Sequence, residues 1–159
     1  MSNLGRIRLK IFELGGCESV APGIVTPVYE ELLAQIEQER GIHFPTAYAE
    51  FVQEFGGCAF GKPVDFPCQT CRERHTIGFF YGAGKKEQLT LRWALTTYAP
   101  RLPRELLPIG EEQGGNQICI AHSGPDSDKI FWWNRRDEGA HVVANSLGDW
   151  IESMNVTNE

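Results

Sequence analysis

Residues 106–135 constrain the fold of this chain more than any other stretch. They contain three short segments in which apolar residues alternate or run together: 106–110, 117–122 and 129–134. Gly114-Gly115-Asn116 and Ser123-Gly124-Pro125-Asp126 separate these segments, and both are turn-forming sequences. The sequence therefore predicts an antiparallel meander of three strands. One face of such a sheet is too apolar to contact water, so helices must cover it.

Four helices are predicted outside this meander. The first begins at Thr26-Pro27 and ends at Gly41, and the second begins at Pro45 and ends at Gly56-Gly57. Both have apolar residues at helical spacing. The third spans 87–98, and the last is capped by Ser146, with Asp149 three residues later. Additional strands are predicted at 76–81 and 141–144, which gives an α+β fold with an antiparallel sheet of about five or six strands.

Two segments have no clear place in this fold. Ile7, Leu9 and Ile11 alternate with basic residues, which predicts an edge strand or an extended segment within an N-terminal arm, residues 1–25. Residues 58–74 contain glycine and proline at intervals that predict an irregular loop.

Composition limits the possible functions. With 159 residues, the chain is expected to form one domain, residues 1–159. It has no apolar run of about 20 residues and no recognisable export signal, which favours a cytoplasmic protein.

Five cysteines, an odd number, favour reduced thiols over a disulfide framework. The net charge of −6 disfavours nucleic acid and anionic membranes as partners and leaves a basic protein partner open. The oligomeric state is not fixed by these features.

Four separated motifs resemble the SMI1/KNR4 family, also called the SUKH superfamily, over about residues 26–154. They are Pro45-x-x-Tyr48-x-x-Phe51-x-x-x-Phe55-Gly56-Gly57, LLPIGEEQGGNQICIAHSG, IFWWNRR and VANSLGDWIESM. The resemblance implies a helix-covered antiparallel sheet. It also implies a protein-binding function without catalysis, because many bacterial members are immunity proteins that bind and neutralise a toxin. Fungal members regulate cell-wall synthesis and signalling, so a regulatory scaffold without a toxin partner is the alternative.

The candidate metal ligands are Cys58, Cys68, Cys71 and His75. Thiolates and an imidazole are the ligands that zinc prefers, and Cys68 and Cys71 form a Cys-x-x-Cys pair. The irregular spacing of the four residues favours the alternative, a loop with free thiols and no cofactor.

The candidate partner-binding residues lie on two turns and one strand. They are Glu111, Glu112, Gln113 and Asn116 on the first turn, Asp126 and Asp128 on the second, and Trp132 and Trp133 on the following strand. The two turns are expected at opposite ends of the strand at 117–122. One tryptophan is expected in the core and the other at the surface, since tryptophan is frequent at binding hot spots. The alternatives are acidic turns that only maintain solubility and a second tryptophan buried under the last helix. A basic toxin, such as a nuclease, is the partner that these acidic turns suggest.

Overall fold

The computed structural model describes residues 3–157, which form five α-helices, one short 3-10 helix and eleven strands. The helices are α1 (Asn3–Glu13), α2 (Glu30–Arg40), α3 (Thr46–Phe55), α4 (Leu91–Tyr98) and α5 (Leu147–Glu152), and the 3-10 helix is Glu87–Leu89. The strands are β1 (Cys17–Ser19), β2 (Val25–Thr26), β3 (Cys58–Phe60), β4 (Val64–Pro67), β5 (Arg74–Phe80), β6 (Ala83–Gly84), β7 (Leu106–Glu112), β8 (Gln117–Ala121), β9 (Ile130–Trp133), β10 (Ala140–Ala144) and β11 (Asn155–Val156).

Seven strands form one antiparallel sheet in the order β10-β9-β8-β7-β5-β4-β11. The α+β class and the central meander β7-β8-β9 are confirmed. The sheet has slightly more strands than predicted, because β4 and β11 extend it at one edge. Two further pairs, β1 with β3 and β2 with β6, lie outside this sheet.

The strands of the meander contribute side chains to two separate apolar clusters. Ile118, Ile120 and Trp132 belong to the main core, which also contains buried residues of α1, α3 and α5. Cys119 and Trp133 belong to a smaller cluster, against which Tyr98 of α4 packs. Successive side chains of a strand point to opposite faces, so the two tryptophans face opposite sides of the sheet.

The N-terminal prediction was wrong. Residues Asn3–Glu13 form a helix, not a strand or an extended arm. Ile7 and Ile11 are buried one helical turn apart, whereas Leu9 is 51% exposed. Three alternating apolar residues fit a strand, but two of them also satisfy the i, i+4 spacing of a helix.

Two arginines of α1 form surface ion pairs with later elements of the chain. Arg6 Nη2 lies 2.6 Å from Oε2 of Glu152 in α5, and Arg8 Nη2 lies 2.6 Å from Oε1 of Glu54 in α3. These ion pairs connect the first helix to elements that follow much later in the chain.

The other helices follow the predicted patterns, and two of them start later than predicted. α2 begins at Glu30 and not at Pro27, because Val25–Thr26 pairs with Ala83–Gly84 as a short ladder. α3 begins directly after Pro45, and its predicted apolar stripe is buried. The third predicted helix divides into the 3-10 turn and α4. α5 begins as predicted, with the Ser146 hydroxyl accepting a hydrogen bond from the backbone N–H of Asp149 at 3.1 Å. No helix within residues 3–157 combines the length and the apolar character needed to span a bilayer.

The prediction of an irregular loop at 58–74 was also wrong for much of its length. β3 and β4 lie within it, and Pro63 and Pro67 fall just before β4 and at its last residue, where proline is tolerated. β4 and β5 form a hairpin, and the backbone N–H of Cys68 donates to the carbonyl of Glu73 at 3.1 Å to close the turn. This hairpin positions the candidate metal ligands.

Candidate functional site at the β4–β5 hairpin

The centre of the site is the carboxylate of Glu112, at the end of β7. Glu112 is only 6% exposed, and both its oxygens accept hydrogen bonds. His75 Nδ1 lies 2.6 Å from Oε2, Trp132 Nε1 donates to the same oxygen at 2.9 Å, and Asn116 Nδ2 donates to Oε1 at 2.8 Å. A buried carboxylate is stable only when it is paired in this way.

The environment of Glu112 keeps the carboxyl ionised. Burial raises its pKa, but the hydrogen bonds from His75, Asn116 and Trp132 and the charge interaction with His75 lower the pKa more strongly. The pKa of Glu112 is therefore below the ordinary value of a glutamate. This carboxylate is used inside the protein and is not available at the surface.

His75 is fixed in one orientation by this network. Its ring stacks on the indole of Trp132, with ring centroids 4.2 Å apart, and packs against Phe66 at 5.7 Å. With Nδ1 directed at Glu112, the other ring nitrogen, Nε2, lies 3.2 Å from the Sγ atom of Cys71. In the neutral imidazole with a proton on Nδ1, Nε2 carries a free lone pair.

Two thiols of the hairpin turn lie next to this imidazole. The Sγ atoms of Cys68 and Cys71 and a ring nitrogen of His75 all lie within 4.8 Å of one another. The backbone N–H of Cys71 donates to Sγ of Cys68 at 3.4 Å. Arg72, the next residue, has φ = 60°, a left-handed conformation that lets the chain turn sharply towards β5. The structure thus brings together three of the four predicted metal ligands.

Cys58 is not part of this cluster, which corrects the prediction. It lies on β3, where its thiol interacts with Cys17 of β1 and lies 3.8 Å from the carbonyl oxygen of Gly56. The strand β3, which the sequence did not reveal, pairs with β1 and places Cys58 there.

The order Cys71, His75 and Glu112 is also that of a nucleophile, a base and an orienting carboxylate. However, burial and the neighbouring Cys68 raise the pKa of the Cys71 thiol to about 11. A thiol with this pKa is protonated at neutral pH, unlike the activated cysteine of a thiol enzyme.

A polar cleft of about 320 Å³ lies beside the Glu112 network. Its lining residues are Glu73, His75, Glu112, Gly114, Asn116, Trp132, Asn134, Arg135 and Arg136. The wall is ordered by side-chain amides: Asn116 Oδ1 accepts from the backbone N–H of Arg135 at 3.0 Å, and Asn134 Oδ1 accepts from that of Arg136 at 2.9 Å. The exposed side chains of Arg135, Arg136 and Glu73 place charges of both signs at the rim of this cleft.

Comparison with known proteins agrees with this fold. The model of the SMI1/KNR4 family (SUKH-1) matches residues 27–153. The chain belongs to the SMI1/KNR4 family. The matched region contains the hairpin turn with Cys68 and Cys71 as well as β7 and β9, whereas α1 precedes it. The SPbeta prophage-derived uncharacterized protein YokK of Bacillus subtilis (strain 168) is 28% identical, over 78% of this chain and 73% of the relative.

The predicted partner-binding residues of this SMI1/KNR4 protein differ in exposure. Glu112 and Trp132 are buried in the network described above, and Trp133 is buried on the opposite face. The Trp133 ring contacts Tyr98 at 6.0 Å between centroids, and the guanidinium carbon of Arg101 lies 4.9 Å from its centroid. The expectation that one tryptophan is exposed was therefore wrong.

The remaining predicted residues lie on the two turns at opposite ends of β8. At the β7–β8 turn, Gln113 is exposed, while Glu111 and Asn116 are partly buried. At the β8–β9 turn, Asp126 pairs with Lys129 at 2.9 Å, and Asp128 is exposed. Asp128 also lines a second cleft, of about 360 Å³, beside the first residues of α3 and α5.

Sequence reasoning missed the residues that complete the first cleft: Glu73, Asn134, Arg135 and Arg136. Arg135 and Arg136 follow soon after the aromatic strand β9. Their position beside the cleft depends on a contact with the β7–β8 turn, in which the backbone N–H of Arg135 donates to Asn116. A single sequence carries no signal for such a contact.

Proposed function

We propose that this protein is an immunity protein that neutralises a cognate toxin by binding it directly. The family match over residues 27–153 carries this proposal, because bacterial members of the SMI1/KNR4 family are associated with toxin systems in this role. The similarity to a prophage-derived protein supports it. Immunity by binding needs no catalysis, and we infer a non-enzymatic, cytoplasmic function in which the protein meets its toxin inside the cell.

The acidic surface supports a basic partner, such as a nuclease domain. The net charge is −6, and a negative surface accelerates association with a positively charged face. Glu30 and Glu31, on the first turn of α2, are exposed and form no ion pair within residues 3–157. Tyr29 precedes them and is 56% exposed, and tyrosine is a frequent hot-spot residue.

The two turns at the ends of β8 are the other proposed contacts. Gln113, with the partly buried Glu111 and Asn116, presents polar groups at one end, and Asp126 and Asp128 present carboxylates at the other. In this proposal the buried Glu112, Trp132 and Trp133 have an indirect role, since they hold the strands that carry these turns.

The proposal is tested by affinity capture of the tagged protein from its native cells. Mass spectrometry identifies the retained proteins, and each candidate toxin is then co-expressed with this protein. We expect one toxin or effector fragment to be retained, and we expect co-expression of this protein to restore growth to cells that produce that fragment. Retention of wall-synthesis or signalling proteins without any toxin would contradict immunity and would indicate a regulatory scaffold.

The electrostatic part of the proposal has its own test with the captured partner. The pairs Glu30→Lys with Glu31→Lys and Asp126→Lys with Asp128→Lys each reverse two charges. We expect at least one pair to slow association by about 10-fold at low salt and to weaken its salt dependence. The matched control, Lys85→Glu with Lys86→Glu, changes the net charge equally in the other direction and should not slow association. Unchanged rates for both acidic pairs would exclude steering by these residues.

A further inference from the structure

We propose that Cys68, Cys71 and His75 bind a zinc ion and that Glu112 orients the imidazole of His75 for this purpose. This proposal does not depend on the toxin-binding proposal, although Asn116 belongs to both regions.

The positions of the three ligand atoms fit a tetrahedral zinc shell. The two Sγ atoms and the ring nitrogen lie within 4.8 Å of one another, and Nε2 of His75 is 3.2 Å from Sγ of Cys71. Zn–S bonds of about 2.3 Å and Zn–N bonds of about 2.0 Å place tetrahedral ligand atoms roughly 3.5–4 Å apart. To reach this geometry, Nε2 of His75 and Sγ of Cys71 must move apart slightly, and any ligand atoms near the 4.8 Å limit must move closer together.

The hairpin turn brings the two cysteine sulfurs close to each other. The backbone N–H of Cys71 donates to Sγ of Cys68 at 3.4 Å, and this contact helps to position that sulfur within the turn. The left-handed Arg72 and the Cys68-to-Glu73 backbone hydrogen bond return the chain to β5 within a few residues. Both thiols therefore face the same side as His75.

The buried carboxylate of Glu112 contacts the histidine ligand and not the zinc ion itself. Metal-bound histidines usually donate their second ring N–H to a carboxylate or a carbonyl, which fixes the tautomer and the ring orientation. Here Nδ1 lies 2.6 Å from Glu112, so Nε2 is the nitrogen that faces the thiols. Asn116 and Trp132 hold the carboxylate in turn.

The charges and protons balance for a divalent ion. Binding Zn²⁺ releases one proton from each thiol to solvent, together with the Nε2 proton of any His75 that is protonated, and the two thiolates neutralise the ion. In the protonated state, the Cys68 thiol lies 3.6 Å from the carbonyl oxygen of Val142. When Cys68 loses its proton, this oxygen keeps a hydrogen-bond donor, because the Thr70 hydroxyl also donates to it at 3.3 Å. Cys71 is only partly buried, so a water molecule can complete the fourth position.

The second thiol pair of the chain provides a matched control. Cys17 and Cys58 also interact with each other, but no histidine joins them in a metal-ligand cluster among residues 3–157. The proposal therefore predicts that zinc binding depends on one cysteine pair and not on the other.

The first test is the metal content of protein purified without chelator, measured by mass spectrometry after dialysis against equimolar zinc. We expect about one zinc ion per chain in the wild type and in the Cys17→Ser, Cys58→Ser variant, and almost none in the Cys68→Ser, Cys71→Ser variant. Circular dichroism of each variant establishes that it is folded. Wild-type protein without zinc, or equal loss of zinc in both folded variants, would overturn the proposal.

The second test addresses Glu112 and the competing thiol chemistry. In chelator competition, Glu112→Gln should weaken zinc affinity by about 10- to 100-fold, whereas Glu111→Gln should leave it unchanged. In addition, zinc should protect Cys68 and Cys71 from alkylation. Rapid alkylation of Cys71 alone with zinc present, or a Cys68–Cys71 disulfide in protein isolated under reducing conditions, would contradict a zinc site.

Discussion

The two faces of the central sheet use the same residue types in opposite ways. Glu111 and Glu112 are consecutive on β7, and Trp132 and Trp133 are consecutive on β9. Glu112 and Trp132 bond to each other on the face that carries His75, and the carboxylate has three donors. On the other face, Gln117 donates weakly to Glu111 at 3.4 Å, and Trp133 Nε1 is buried without a hydrogen-bond partner among residues 3–157.

This difference shows that position on the strand, and not residue type, decides what each side chain does. A step of one residue moves a side chain to the other face of a sheet. One glutamate therefore becomes the centre of a buried polar network, while its neighbour remains partly exposed, with its pKa raised chiefly by burial. The following three predictions compare the two faces, and all are measured with a chelator present so that metal does not contribute.

The largest effect is expected from Glu112→Ala. This variant leaves His75, Trp132 and Asn116 without their shared acceptor inside the protein, and breaking a buried pair typically costs about 3–5 kcal/mol. Glu111→Ala is the matched control and should cost less than about 1 kcal/mol. Urea unfolding measures both, and similar losses for the two variants would show that the network around Glu112 is not special.

A smaller difference is expected between the two tryptophans. Both replacements, Trp132→Phe and Trp133→Phe, remove buried apolar surface, but only the first removes a hydrogen bond, the one to Glu112. Trp132→Phe should therefore lower the free energy of unfolding by about 1 kcal/mol more than Trp133→Phe does. If Trp133→Phe is the more destabilising variant, the hydrogen bond of Trp132 contributes less than the packing of Trp133 on Tyr98 and Arg101.

The smallest effect is expected from Glu111→Gln, which should stabilise the protein, whereas the preceding variants destabilise it. Burial raises the pKa of Glu111, so the folded state disfavours the ionised carboxylate. This penalty is present above the folded pKa and disappears below the unfolded pKa of about 4.3. Glu111→Gln should thus raise the Tm slightly at pH 7, by less than about 2 °C, and have no effect near pH 4. Thermal scans at several pH values test this, and a lower Tm at pH 7 would contradict it.

The parts of the fold that were predictable depend on local sequence patterns. The meander, the apolar stripe of α3 and the Ser146 cap each show their pattern within a few consecutive residues. The N-terminal strand was predicted wrongly because the spacing of Ile7 and Ile11 fits both a strand and a helix. Contacts of this segment with α3 and α5, which the local sequence does not reveal, favour the helix.

The candidate site was predictable only in part, for a similar reason. Cys68, Cys71 and His75 are close in sequence, so their spacing indicated the cluster. Glu112 comes from a different strand, and its contacts with His75 and Trp132 exist only after the sheet forms. From the sequence, Glu112 therefore resembled an exposed acidic contact, and Cys58 resembled a fourth metal ligand.

The proposed neutralisation by direct binding is tested most directly by titrating the captured toxin with this protein while the toxin's activity is measured. We expect the activity to fall linearly and to be abolished at a fixed stoichiometric ratio, and we expect the Cys17→Ser, Cys58→Ser variant to give the same end point. Full toxin activity in the presence of excess folded protein would contradict neutralisation by binding.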